Sequence, residues 1–196
     1  MKRKLVGAVC AALVGTGGQA AASTTTITFD EPGAIAGNAV GTFYNGLTFV
    51  DAVFQDNLGL DGSSGALGIS SQSLGFNPTQ ADPIEVLFDT PVTSVTLRGI
   101  DVGFDGFVLR AFDSADNFLS EVAVFGTTLA GVDEFFDLTV SGSDIARIAF
   151  SQENQSQGTN DGMIFDDLTF TQIPVPAAAL LFAPVIGALA TRRRTS

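Results

Sequence analysis

The residues best placed to do chemistry stand in the segment 163–171, MIFDDLTFT. Read as a strand, its two-residue period puts Ile164, Asp166, Leu168 and Phe170 on one face, which must be the buried one. A carboxylate on that face needs a cation or several hydrogen-bond donors. Between residues 23 and 171 the only bases are Arg98, Arg110 and Arg147. The partner of Asp166 is therefore one of these, a bound metal, or backbone N–H groups in a turn, with Asp167 solvated in the last case. Asp133, Glu134 and Asp137 form a second acidic group, of the kind a glycosidase could use, since sugar hydrolysis requires only two carboxylates. With 21 acids in the chain such a group arises by chance, and no enzymatic activity is expected from it. Asp61-Gly62, Asp105-Gly106 and Asp161-Gly162 are turn dipeptides, and none has the spacing of a calcium loop.

Other chemistries are excluded by composition. The 196 residues contain no His and no Trp, one Cys (Cys10), and Lys only at positions 2 and 4. Serine–histidine triads, imidazole zinc sites, thiol nucleophiles, Schiff-base lysines and disulfides are thus absent from the middle of the chain. All 21 carboxylates lie between Asp30 and Asp167 with three arginines, a balance of 3 − 21 = −18. Such a segment repels nucleic acid.

The elements that must position these groups are strands. β-rich runs at 25–30, 46–50, 83–89, 93–102, 106–113, 117–125, 134–141, 144–151 and 163–171 alternate with Gly, Asp, Asn and Pro punctuation. No window sustains a helical period. Asp116 and Asn117, after Ser114 and Ala115, mark a tight hairpin. Sixteen of the 17 Phe residues fall between residues 23 and 172 and supply the core. The expected fold is all-β, a single β-sandwich ectodomain over 23–172. The stretch 151–161, SQENQSQGTND, reads as a long polar loop.

The two ends are addresses. Lys2, Arg3 and Lys4, then an apolar run, then Ala20 and Ala22 have the order of a secretory signal peptide, assigned to residues 1–22 with cleavage after Ala22, or after Ala20. Near the other end, Ile173-Pro174-Val175-Pro176 precedes 14 strictly apolar residues, 177–190, and then Arg192, Arg193 and Arg194. With residues 173–176 the apolar stretch reaches 18, adequate for one C-terminal transmembrane helix. The arginines are expected to hold that end on the cytoplasmic side of a membrane and to leave the acidic domain outside. Proline at 174 and 176 keeps the junction extended.

This layout resembles a PEP-CTERM sorting signal, and more closely the variant with a Val-Pro-Leu-Pro-Ala-like motif, matched here by Ile173, Pro174, Val175, Pro176 and Ala177. The resemblance covers residues 173–196, and Val175 stands where the namesake motif has Glu. It implies processing at Pro174, Val175, Pro176 and Ala177 by an exosortase, a membrane-embedded protease-transpeptidase of Gram-negative bacteria that make exopolysaccharide. The precursor would be anchored in the inner membrane and the mature form would be at the cell surface or extracellular. The segments 106–125, 137–151 and 162–170 also resemble the jelly-roll ectodomain common among such proteins, a fold shared with carbohydrate-binding modules. Jelly rolls of this type often hold a structural calcium where first and last strands meet, so the resemblance implies Asp30 or Glu31 with Asp166 or Asp167 as its ligands. The expected function is that of an exported, exosortase-sorted surface or extracellular-matrix protein with a non-catalytic structural or interaction role. The alternative is a carbohydrate-binding module associated with exopolysaccharide. Exposed aromatic rings would favour that alternative, and Tyr44 and an outward Phe112 are the aromatic candidates named by the sequence.

Overall fold

The computed structural model describes residues 21–57, 59–104, 106–125, 134–153 and 162–172. Nearly all of the signal peptide, the motif Pro174, Val175, Pro176 and Ala177, the cluster Arg192, Arg193 and Arg194, and the acids Asp105, Asp133 and Asp161 lie outside the described residues. Among the described residues every regular element is a strand: β1 (Ser23–Ile27), β2 (Leu47–Val50), β3 (Ala52–Asp56), β4 (Leu67–Ser71), β5 (Ile84–Ile100), β6 (Phe107–Phe112), β7 (Phe118–Val124), β8 (Phe135–Gln152) and β9 (Ile164–Gln172). All pairings are antiparallel, in the order β3-β4-β9-β5-β8-β6-β7, with β1 also beside β9 and β2 beside β5.

The hydrogen-bonded path is continuous, yet it makes two layers because β5 and β8 are long enough to belong to both. The 84–87 end of β5 pairs with β2 and with 147–150 of β8, which in turn pairs with β6. The 94–100 end pairs with 135–141 of β8 and with β9. Register shifts between Leu87 and Ser94 separate the halves. Pro91, which has no N–H for a ladder, falls in that gap. The chain thus bends from one sheet into the other without leaving the strand.

The inner faces meet through aromatic rings on strands that are not neighbours in the ladder. Phe165 of β9 packs at 5.3 Å from Phe107 of β6 and 4.7 Å from Phe150 of β8, between ring centres. All three rings are fully buried, as are Val95, Leu97, Leu109 and Ile148 around them. Each such Phe contributes roughly 1.5–3 kcal/mol through burial. These contacts define the jelly-roll-like sandwich that the strand pattern leads one to expect.

The expected hairpin forms at 113–117. Asp113 Oδ1 accepts the N–H of Ala115 at 2.9 Å and of Asn117 at 2.8 Å, and Asp116 takes a left-handed φ of 64°. The hydrogen bonds donated by Asn117 hold the Asp113 carboxyl below the usual carboxylate range.

Candidate functional site

Two surfaces bring chemistry-bearing side chains together. The first is the junction of β1 and β9, where sequence places Asp30, Glu31, Asp166 and Asp167. Asp166 is fully buried, but strict alternation assigns it to the wrong face. Asp167 has φ 46°, and the β5–β9 register slips by one between Thr96↔Thr169 and Arg98↔Asp166. This bulge reverses the parity of the strand. Phe165 therefore joins Leu168 and Phe170 in the core, while Asp166 pairs with Arg98 on the outer side.

What covers Asp166 there is the segment 59–66, through Ser64. Its Oδ2 accepts the Ser64 N–H at 2.8 Å, its Oδ1 accepts the Asp167 N–H at 2.8 Å, and the Ser64 hydroxyl reaches both oxygens at 3.1 and 3.2 Å. Burial raises its pKa and these donors oppose the rise. The same loop is tied down twice more. Asp30 Oδ1 accepts the N–H groups of Ala66 (2.8 Å) and Leu67 (3.0 Å), and Arg98 donates to the Gly62 carbonyl at 3.0 Å. Asp30 approaches so closely that a Cβ on Gly65 would lie 1.8 Å from its Oδ2, which accounts for the glycine.

Asp167 is half-buried and paired rather than merely solvated. It accepts from Arg98 Nη1 at 2.8 Å, while Arg98 also forks onto Asp137 at 2.8 and 3.0 Å. The Asp137 hydrogen bond raises the Arg98 pKa, so its charge is permanent. Glu31 accepts the Thr28 N–H at 3.1 Å and the Tyr44 hydroxyl at 2.7 Å. Burial, then the hydrogen bond to Glu31, push the Tyr44 phenol far above its ordinary value of 10.0. The four acids of the calcium set are thus divided among separate protein donors. Among the described residues no three His, Cys, Asp or Glu side chains form a group that could hold a metal ion. The residues do not fit the calcium site that the family resemblance implies. Asp137 is likewise spent on Arg98, so the acidic group it forms with Glu134 offers no free pair of carboxylates; Asp133 lies outside the described residues.

The second surface is the outward face of the sheet β2–β5–β8–β6–β7. Cross-strand pairing sets Leu87, Arg147, Phe112 and Phe118 in one row. Glu85, Ala149, Arg110 and Glu121 form the next. Phe112 is outward, as strand parity with Arg110 suggests, but its ring face is covered: the Arg147 guanidinium carbon lies 3.9 Å from the ring centre. Phe118 meets Phe112 edge-on, centroids 6.1 Å apart, and remains 59% exposed. Polar groups frame the rings. Arg147 bridges Glu85 at 2.5 Å and also Asp116. Arg110 donates to Glu121 and to Gln80, each at 2.6 Å. Tyr44, in contrast, is packed against the core between Phe29, Phe43 and Phe54 and offers no free ring.

Sequence parity finds Phe112 and Arg110 on this face. It misses Arg147, Phe118, Glu121 and Gln80, because the register of β6 against β7 and β8 brings them together and no local pattern encodes that register. The nearest local signal is the place of Phe118 just beyond the tight hairpin, opposite Phe112; parity with Glu121 would set it on the other face, and a register shift beside Phe112 corrects this.

No family model and no curated protein matches the chain. Among solved structures it is similar to a family 29 carbohydrate binding module, at 16% identity over 77% of this chain and 89% of that one, with a TM-score of 0.44. A CBM29-2 mutant complexed with cellulohexaose matches at 15% identity over 76% and 91% (TM-score 0.44). Another, complexed with mannohexaose, matches at 13% identity over 77% and 92% (TM-score 0.43).

Proposed function

We propose that this chain is an exported, non-catalytic surface or matrix protein whose acidic sandwich binds polysaccharide. The observation that carries this reading is the Phe118 ring, 59% exposed on a sheet face and framed by Phe112, Arg147, Arg110, Glu121 and Gln80. A sugar presents an apolar C–H face and an equatorial belt of hydroxyls. A ring beside guanidinium, carboxylate and amide groups offers the complement to both. The ion pairs fix these groups before a ligand arrives, which lowers the ordering cost of binding. Export rests on the signal-peptide pattern of residues 1–22 and sorting by an exosortase on residues 173–196.

The test of the binding role is native electrophoresis of the full chain through gels containing glucomannan or hydroxyethyl cellulose. Phe118→Ala should weaken retention about threefold to tenfold, the scale of one aromatic contact. Absence of retention of the wild type by either polymer would refute the binding role, and retention unchanged by Phe118→Ala and Phe112→Ala would refute the aromatic face as its site. For sorting, mass spectrometry of the chain from cells with and without exosortase should show loss of the segment after Pro174–Ala177 only when the enzyme is present.

A further inference from the structure

The other sheet carries an uncharged array that the aromatic face does not explain. Its register lines up Thr26, Thr169, Thr96 and Thr139 in one row across β1, β9, β5 and β8. Two residues along the strands, Thr24, Thr171, Ser94 and Ser141 form a second row. Each of the four strands thus presents a hydroxyl at two alternate positions, and all eight side chains are exposed or half-buried. Neighbouring hydroxyls are bonded across the strands: Thr26 to Thr169 at 2.9 Å, Thr24 to Thr171 at 3.1 Å and Thr96 to Thr139 at 2.8 Å.

A bonded pair of hydroxyls uses one of its two protons and leaves the other, with most of its lone pairs, for a ligand. Six of the eight residues are Thr, whose branched Cβ restricts χ1, so the donors are held in place beforehand. Strand spacing puts one hydroxyl about every 4.8 Å along a row, with rows about 6.8 Å apart. Charge selects the ligand. In a domain with 21 carboxylates and three arginines, these eight positions carry no charge, so the array suits a neutral partner and the surrounding acids repel a polyanion. Shape selects further. Neighbouring strands rotate by roughly 20–25°, so a row turns as it crosses the sheet, which a flexible chain of sugars can follow and a flat ice plane cannot. The Arg98, Asp137 and Asp167 ion cluster lies next along β5, β8 and β9 and closes one end of the array.

The geometry points to this hydroxyl ladder as a second glycan-contact face, taking a neutral linear polysaccharide laid across the strands. It extends the proposed binding role to a different sheet and does not depend on Phe118.

The test replaces Thr96, Thr139 and Thr169 together by Val, which removes hydroxyls, keeps shape and retains β-propensity. The full-chain variant is run in native gels containing hydroxyethyl cellulose, glucomannan or, as the polyanion, alginate. Its thermal midpoint should not fall, and its Kd for the neutral polymers should rise about tenfold, in the Phe118→Ala background as well. Unchanged retention in the triple variant would overturn the inference. So would preference for alginate, or inhibition of ice-crystal growth by the wild type without retention by any glycan. Loss on the triple variant with none on Phe118→Ala would support the ladder while refuting the aromatic face, so the two readings fail separately.

Discussion

The Ser64 N–H donates to Asp166 Oδ2 at 2.8 Å, joining residues 102 positions apart and closing the segment 59–66 over the last strand. Asp166 is a buried acid whose place is set by a bulge and whose charge is met by hydrogen-bond donors. That relationship makes its substitution informative.

Asp166→Ala leaves the Ser64 and Asp167 amides without their acceptor and should cost about 1–3 kcal/mol. At this domain size that lowers the thermal midpoint by about 2–4 °C per kcal/mol. Asp166→Asn keeps an acceptor oxygen and should cost less. The pH dependence has a defined sign. Burial raises the Asp166 pKa above 3.8, so the folded state binds that proton more tightly than the unfolded one. Ionisation therefore weakens folding at neutral pH, and the penalty is relieved as pH falls through the folded pKa. Wild type should gain on Asp166→Asn between neutral pH and about 4; a difference constant with pH would contradict this.

Calcium and chelator should give the same unfolding midpoint. Asp30, Glu31, Asp166 and Asp167 each accept hydrogen bonds from protein donors. A midpoint several degrees higher in calcium would mean that the loop rearranges to free Asp166 for an ion.

Tyr44 is the only tyrosine and the chain has no Trp, so its ionisation can be followed alone by ultraviolet absorbance. Its folded pKa is raised, so the folded state keeps the proton above the unfolded value of about 10 and loses stability as pH rises beyond it. The phenolate signal should appear together with unfolding, as one cooperative step. A gradual titration near 10 in folded protein would show that the Glu31 bond is not maintained.

Gly68→Ala should be among the more costly single-methyl additions. The new Cβ would stand 2.7 Å from the Phe165 carbonyl oxygen and 2.6 Å from Ile164 Cγ2. Backbone cannot yield as a flexible side chain does, so the β4–β9 contact must open, at about 1–3 kcal/mol. Denaturant unfolding would measure it, and a midpoint equal to wild type would show that β4 shifts freely.

Arg98→Lys should lower the thermal midpoint although charge is conserved. An ammonium cannot reproduce the fork onto Asp137 together with the bonds to Asp167 and Gly62. The expected loss is about 1 kcal/mol, the upper range for exposed ion pairs. Equal midpoints would reduce the cluster to surface decoration.

The strand content of the domain was legible in the sequence, and its long-range pairing was not. The runs 83–89 and 93–102 read as separate strands because Asp89, Thr90 and Pro91 look like punctuation, yet they form the single β5. The same holds for 134–141 and 144–151, joined through Ser141, Gly142, Ser143 and Asp144 into β8. Turn residues mark a bend between sheets as readily as a chain reversal, and only the partner strands distinguish the two. β3 and β4 escaped notice because they are short and β4 is rich in Ser and Gly. Burial of Asp166 was anticipated correctly from a face it does not occupy; one residue in a left-handed conformation, Asp167, changed the parity. The hydroxyl ladder is invisible along the chain, since its rows join positions as distant as Thr26 and Thr169.

The placement of β9 has a mechanical consequence. It is bonded to β5 along one edge and to β1 and β4 along the other, and it ends at Gln172 opposite Ser23. A pull applied at Gln172 along the strand axis would load these ladders in shear, so that many bonds must fail together. A strand held at an open edge and pulled sideways would instead peel one bond at a time. If the domain is tethered through its last strand while it grips a polymer, the strand bearing the load is the one clamped on both sides.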